Sequence, residues 1–506
     1  MSYIQFLESI NYDKVSTLPS SKLDISIFEK SLRTLSEGEW VRRGERKALK
    51  LFHHASLRVP AYKHFLKTNG VKSDKIKTIA DFRNLPITDK HNYINKYSIK
   101  DRSWDAKTIQ NKLIAVSSGT TGSPQLWPRG TYQELEAVIL HELIYRYLFG
   151  MDTRSTLAVI CFPMGIYVSG IATTIPTFTI SEKGYPLTII TSGNSKSEVL
   201  KAIQTLHMEY DQILLIGHPF FIKDVIESGV KEGVPWKKLN VRAMVCSEGF
   251  NEEWRNYLLK MLGKNLSSFD LINTYGSSEM LLMGFETPIT ISIRRAAEKN
   301  KTLCQNIFKL DTPPNLFQYN PLMRYVESVG DELIFTSQSG IPLIRFNLHD
   351  RGQILSSDII KHFPDIKLKQ WNLPLISLID RSDNTIVFYA ANIYPENIRN
   401  ILNHKQFLGF LTGKFTMRKI NAPKMEQILE INIELRDATK TNNKLIRNVK
   451  ERIVKMLPKI NAEYAYILEH YKKGKKHLVP KIKLWPYQSE PYFKPGLKPR
   501  YIFKSG

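Results

Sequence analysis

The sequence predicts an α/β protein in two parts, a large multi-subdomain N-terminal lobe and a smaller α+β C-terminal domain. Three observations carry this. At 506 residues the chain is too long for one ordinary hydrophobic core. Through the first two-thirds, apolar runs of strand length end in polar turns and pass into segments of helical period. That is the order of an α/β lobe, whose ligands gather at the carboxyl ends of its strands. After Asp380 the pattern changes to an alternating strand and an amphipathic helix, over a length close to one ordinary domain.

The elements follow in chain order. Residues 1–30 show no clear period and read as an N-terminal extension. From Ser31 to about Phe65, Leu49, Leu51, Phe52 and Leu57 give a helical reading. Leu113-Ile114-Ala115-Val116 reads as a strand entering the loop Ser117–Pro124. Thr131 and Glu134 have the spacing of a capping box, with Leu135, Ile139 and Leu143 lining one face of the helix that follows. QILLIG reads as a buried strand, turning at His218-Pro219 into a helix. His218 has no partner in the sequence and reads as structural. VRAMVCSEGF and FDLINTYGSSEM read as further strand-to-turn units. In the C-terminal part, Leu429, Ile431, Ile433 and Leu435 alternate as in a half-buried strand. Ile446, Val449, Ile453 and Leu457 share a helical face that stops at Pro458, and AEYAYILEHY reads as a returning strand.

Composition narrows the class. A hydrophobic content of 42% and a charged content of 24% suit a soluble globular protein. Cys161, Cys246 and Cys304 form no CxxC pair, so neither a disulfide framework nor a zinc site is indicated, and a reducing, cytoplasmic setting is expected. The net charge of +24 suits polyanionic ligands, a nucleic-acid or anionic membrane surface, or simply lysines spread over the solvated face; the last reading is favoured, and the densest run, Lys472 to Lys476, accompanies no nucleic-acid motif. No specific nucleic-acid partner is expected. Thr156 to Ile180 carries no charge and is long enough to span a bilayer. Pro163, Gly165, Gly170 and Pro176 break it, so it reads as core and not as a membrane span.

The loop Ser117-Ser118-Gly119-Thr120-Thr121-Gly122-Ser123-Pro124 carries the chemistry. Its glycines let the backbone approach a ligand closely, and successive N–H groups with five hydroxyls can surround one anion. No lysine follows the last glycine, so this is not a Walker loop. By itself such a loop also suits a plain flexible connection.

SSGTTGSP resembles the phosphate-loop signature of the adenylate-forming enzymes, the superfamily of acyl-CoA synthetases and peptide-synthetase adenylation domains. The stretches RVPAYKHFLKTNGV and LPITDKHNYINKY are similar to its phenylacetate–CoA ligase-like branch, which includes capsule-synthesis-type proteins. The resemblance runs from roughly Ser31 to the C-terminus. It implies an adenylate-forming large lobe over residues 31–379 and a mobile domain over residues 380–506.

What the resemblance implies for the site is specific. Ser117, Ser118, Gly119, Thr120, Thr121 and Gly122 would hold phosphate. Tyr275-Gly276-Ser277-Ser278-Glu279 resembles the family's Tyr-Gly-x-Ser/Thr-Glu motif. Tyr275 would lie against adenine, Gly276 would belong to the same nucleotide site, Ser278 would touch the α-phosphate, and Glu279 would bind Mg²⁺. Ser247, Glu248 and Gly249 match the adenine-facing turn, with Gly249 where a proline is usual. Asp350 would accept both ribose hydroxyls, and Arg345 would buttress it. Arg381 would approach the nucleotide, and Asp383 would be the hinge. Lys498 would stabilise the adenylation transition state, with Lys494 its rival. Ala390 replaces a glycine beside which the family's pantetheine arm passes. The implied activity is an AMP-forming acid–thiol ligase. It would use ATP and Mg²⁺ to activate a hydrophobic or aromatic carboxylic acid, then pass the acyl group to a thiol, CoA first among the candidates. A carrier-protein thiol or an amine acceptor, and an inactive nucleotide-binding module, stay open as alternatives.

Overall fold

A computed structural model describes residues 2–10, 24–111, 113–117, 125–165, 167–368, 371–381, 385–471, 476–493 and 501–502. The chain divides into two compact units. One comprises residues 1–117 and 126–380, the other 118–125 and 381–506. Among the described residues no helix is long and apolar enough to cross a membrane.

The first unit is built on a mixed sheet. Its first half is wound in parallel: β3 (Thr156–Ile160) lies between β4 (Leu187–Ile190) and β5 (Gln212–Gly217), followed by β6 (Val241–Cys246) and β7 (Leu271–Ser277). The other half turns antiparallel through β8 (Leu281–Phe285), β9 (Asn315–Gln318), β13 (Leu375–Arg381), β12 (Leu343–Leu355), β11 (Glu332–Ser337) and β10 (Tyr325–Val329). Ahead of this sheet, β1 (Leu113–Ser117) and β2 (Gln125–Arg129) pair with each other on either side of the hydroxyl-rich loop.

The parallel strands read as continuous apolar runs because both faces of the sheet are covered, and β5 is buried at all six positions. Two of the apolar clusters among the described residues lie here. One gathers Leu214, Ile216, Met244 and Ile272. The other gathers Tyr275, Met283, Phe317 and Ile376. The uncharged stretch around Thr156 resolves into β3 and a helix over Val168–Ser181 that holds Pro176.

Several expectations are corrected. Residues 1–30 are not a bare extension: Tyr3, Phe6, Leu7, Ile25 and Phe28 are buried in the first cluster, and Tyr132 Oη donates to the Leu7 carbonyl at 3.0 Å. The segment 31–65 is helical as read, divided among Ile25–Thr34, Glu37–Arg58 and the start of Pro60–Thr68, but Leu57 is exposed and not part of the apolar face. Thr131 does not cap its helix. Gly130 holds the N-cap position without a side-chain bond, and buried Arg129 takes Glu134 at 2.7 Å. A buried guanidinium competes better for a carboxylate than one exposed backbone N–H does.

The second unit carries the hairpin β14 (Ile386–Phe388) and β15 (Ala391–Ile393), and a sheet in the order β16 (Leu411–Ala422), β17 (Glu426–Leu435), β18 (Lys481–Trp485). β17 is not half-buried. Its polar face is covered too, with Glu430 paired to Arg418 at 2.7 Å and to Lys483 at 2.9 Å, and Asn432 accepting from Trp485 Nε1 at 2.7 Å. The helix Asn443–Ile460 runs through Pro458 instead of stopping there. AEYAYILEHY is a helix, Ala462–Tyr471, and not a strand. Asn461 Oδ1 accepts the Tyr464 N–H at 2.9 Å at its start, and Tyr464 is fully buried. That local cap and the burial override the strand propensity of its tyrosines.

The fold carries a pH dependence. Burial pushes the His141 imidazole, set in the helix Thr131–Leu143, from 6.5 down to about 4, although the Ala137 carbonyl lies 2.7 Å from Nδ1. Between these values the unfolded chain binds a proton that the folded chain refuses, so stability is present above pH 6.5 and is lost as pH falls toward 4. At ~1.4 kcal/mol per pH unit the group accounts for about 3 kcal/mol. His141→Gln is expected to flatten the acid limb of the unfolding free energy measured from pH 7 to 4. An unchanged limb would refute this assignment.

Candidate functional site

The carboxyl end of β7 continues into the turn Ser278-Glu279-Met280, and β8 returns antiparallel from it. This places Tyr275 on the strand and Glu279 on the turn. Both side chains are buried. Tyr275 stacks on Phe317, ring centroids 5.5 Å apart and planes at 23°. Its hydroxyl donates to Asp350 Oδ2 at 2.5 Å. Residues 75 positions apart are thereby joined, one bearing an aromatic face and the other a carboxylate.

Asp350 sits on β12, which is irregular where the site lies. Arg345 and His349 both have positive φ, 46° and 63°, and the register against β11 shifts. Arg345 is held by Glu327 at 3.1 Å and reaches the Leu85 carbonyl. Asn347 Oδ1 accepts the His349 N–H at 2.6 Å, so the unusual Asn-Leu-His run supports its own bend.

Glu279 has a partner that the motif did not name. Lys90 Nζ lies 2.7 Å from its Oε1. Burial raises the Glu279 carboxyl, but the Lys90 ammonium, with hydrogen bonds from the backbone and Ser277, brings it below the ordinary carboxylate range. The carboxylate is therefore ionised near neutral pH, as a metal ligand must be. Lys90 lies within the stretch LPITDKHNYINKY, whose likeness carried no role for this residue.

The turn after β6 brings in Ser247, Glu248 and Gly249. Ser247 stands at φ 82°, a region glycine favours. A Cβ on Gly249 would sit 2.4 Å from Asn315 Nδ2, so the backbone is seated directly against that side chain. Asn273 on β7 donates from Nδ2 to the Glu248 carbonyl at 3.3 Å. His218 lies at the end of β5, half-buried, its ring edge-on to Phe162 at 5.0 Å, and desolvation lowers its imidazole to about 4.

Of the other predicted residues, Gly276 lies in β7, with the Leu281 carbonyl 2.8 Å from where a Cβ would be. Ser278 opens the turn. Ser117 closes β1, and its Oγ accepts from Trp127 Nε1 at 2.8 Å. Arg381 ends β13 as the first residue of the second unit's C-terminal segment. Ser118, Gly119, Thr120, Thr121, Gly122, Asp383, Lys494 and Lys498 lie outside the described residues.

Comparison with known proteins places this geometry in a fold. No protein-family profile matches the chain, and no curated protein sequence matches it. Solved structures do. The chain is similar to a 2-hydroxyisobutyryl-CoA ligase in complex with 2-HIB-AMP and CoA in its thioesterification state. The TM-score is 0.63 at 13% identity over 94% of this chain and 91% of that one. An open conformation of the same ligase with the same ligands gives a TM-score of 0.55 at 12% identity over 98% and 97%. The chain shares the fold of that ligase: a large α/β lobe and a smaller C-terminal sheet domain.

Proposed function

We propose that the protein activates a carboxylic acid with ATP, forming an acyl-adenylate and pyrophosphate, and then passes the acyl group to a thiol. The observation that carries this reading is the Tyr275–Asp350 bond together with the pairing of buried Glu279 to half-buried Lys90, at the carboxyl end of a central strand. An aromatic face, a diol-accepting carboxylate and an ionised carboxylate are the parts that adenine, ribose and a phosphate-bound cation require.

The donors suit Mg²⁺. One carboxylate together with substrate phosphates is its usual environment. Glu279 would hold the ion, which when bound would neutralise phosphate charge. Lys90 keeps that carboxylate ionised and oriented beforehand. Asp350 would accept the ribose hydroxyls, and Tyr275 would orient Asp350 while its ring supports the base. The loop Ser117–Gly122 would surround the phosphates, Ser278 would meet the α-phosphate, and Arg381 would approach the nucleotide. The small domain would swing about Asp383, and Lys498 would complete the charge stabilisation. By likeness to the phenylacetate–CoA ligase branch, the acid is hydrophobic or aromatic and the setting cytoplasmic.

One observation favours a second reading of the acceptor. The β14–β15 turn is made by Tyr389 and Ala390, at φ 49° and 66°, where glycine is the easier residue. Tyr389 is fixed by its hydroxyl to Glu426 at 2.5 Å. A side chain at position 390 crowds the place assigned to pantetheine, which CoA and a carrier-protein thiol would share, so a small amine is the alternative acceptor that this observation favours.

Asp350→Asn tests the nucleotide reading. Hydrogen bonds to a charged group contribute about 1.5–3 kcal/mol each. The expected result is a KM for ATP raised by about 10–100-fold, with 2′-deoxy-ATP penalised less in the variant than in the parent. An unchanged KM for ATP would remove Asp350 from the ribose site.

A further inference from the structure

Behind the Ser247–Phe250 turn lies a cluster of four charged side chains, Glu252, Arg255, Glu286 and Arg294, none more than 1% exposed. Arg255 and Arg294 both reach Glu286 Oε1 at 2.7 Å. Arg255 also meets Glu252 at 2.8 Å and Arg294 meets it at 3.1 Å. Burial would raise the Glu252 carboxyl, but the guanidinium groups of Arg255, Arg294 and Arg295 together hold it below the ordinary range. Arg295, less deeply buried, also lies 3.4 Å from Glu252, so three guanidinium groups surround two carboxylates.

Stability alone is a poor explanation. Replacing such a cluster by apolar side chains of equal volume is often neutral or stabilising, because desolvating charges costs as much as their attraction returns. What apolar residues could not supply is direction. Arg294 Nη2 donates to the Phe250 carbonyl at 2.6 Å. The Arg255 guanidinium lies over the Phe250 ring at 5.0 Å and that of Arg294 at 5.9 Å. Glu286 Oε2 accepts the Asn273 N–H at 2.7 Å, and Asn273 Nδ2 donates to the Glu248 carbonyl. Both ends of the turn are therefore tied to one carboxylate. Between them, Gly249 is pressed against Asn315 and Ser247 is held at a sparsely populated φ.

We infer that Glu286 and Arg294 are positioning residues for nucleobase selection, fixing the Ser247–Phe250 backbone so that its amide and carbonyl groups discriminate one base from another. The inference rests on the reading of this turn as adenine-facing. A backbone reader has no side chain to adjust, so its selectivity depends on how rigidly the turn is held.

The test compares ATP with GTP in acid-dependent pyrophosphate exchange. Glu286→Gln keeps shape and one acceptor but removes the charge that balances both arginines. Arg294→Lys keeps the charge but cannot span Glu286 and the Phe250 carbonyl together. Each is expected to raise the KM for ATP and to lower the ATP-over-GTP preference by about tenfold or more, with kcat at saturating ATP and the KM for the acid within about twofold of the parent. Glu252→Gln, which touches the arginines but not the turn, is expected to lower Tm and leave the base preference unchanged. The inference is overturned if the first two variants lose Tm alone, if neither folds, or if the parent does not distinguish the two bases. A parent that binds no nucleotide and supports no exchange would overturn the functional reading itself.

Discussion

Glu279→Gln is expected to lower acid-dependent pyrophosphate exchange by about 10²-fold or more while the protein stays folded. A metal ion held at a reacting phosphate supplies several kcal/mol, and each ~1.4 kcal/mol is a factor of ten in rate. The amide has the shape of the carboxylate but not its charge, so the loss falls on the cation. Stability suffers less than the 3–5 kcal/mol or so typical of breaking a fully buried pair, because the Lys90 side chain is 26% exposed and can turn to water. The check is a Mg²⁺ titration of the exchange rate, in which raised Mg²⁺ is expected to restore the variant only in part. Lys90→Met separates the two partners and is expected to retain more exchange than Glu279→Gln. Equal losses would assign the effect to the ion pair instead of the carboxylate.

The second large effect concerns Lys498. Negative charge gathers on the oxygens around the α-phosphorus during attack, and an ammonium placed there gains most in the transition state. Removing one such donor costs ~10²–10³ in rate. Lys498→Ala is expected to lose exchange on that scale yet still consume a synthetic acyl-adenylate supplied with its acceptor, since the second step has no need of that cation. Lys494→Ala is expected to lose neither. Normal exchange in Lys498→Ala with loss in Lys494→Ala would move the role to the other lysine.

Much of the fold was legible because it rests on local pattern. The strand at 212–217, its turn at His218 and the following helix were visible in the period of their apolar residues, as were the turns after β6 and β7. What escaped depends on distant partners. Glu134 has capping-box spacing, yet the buried Arg129 claims it. The helix at Ala462 reads as a strand until Asn461 and the burial of Tyr464 are seen. The N-terminal helices show too few turns to reveal a period, and only contacts such as that of Tyr132 with Leu7 place them.

The candidate site divides in the same way. The motif pointed to Tyr275, Glu279 and Asp350 separately, and the structure joins the first and last through one hydrogen bond. Lys90 and the Glu286–Arg294 cluster carry no local signature, because ion pairs across such sequence distances leave none. A scan for charged residues embedded in apolar helices and strands, such as Arg294 within its amphipathic helix, would have flagged the cluster without naming its partners.

The central claim is most directly tested by ATP–pyrophosphate exchange in the purified protein over a panel of aromatic and aliphatic carboxylic acids with Mg²⁺ present, since it requires no knowledge of the acceptor. The account predicts label entering ATP only when a fitting acid is supplied, and loss of that exchange in Glu279→Gln. Exchange that ignores the acid, or a folded and ATP-binding protein that exchanges with no acid in the panel, would contradict it.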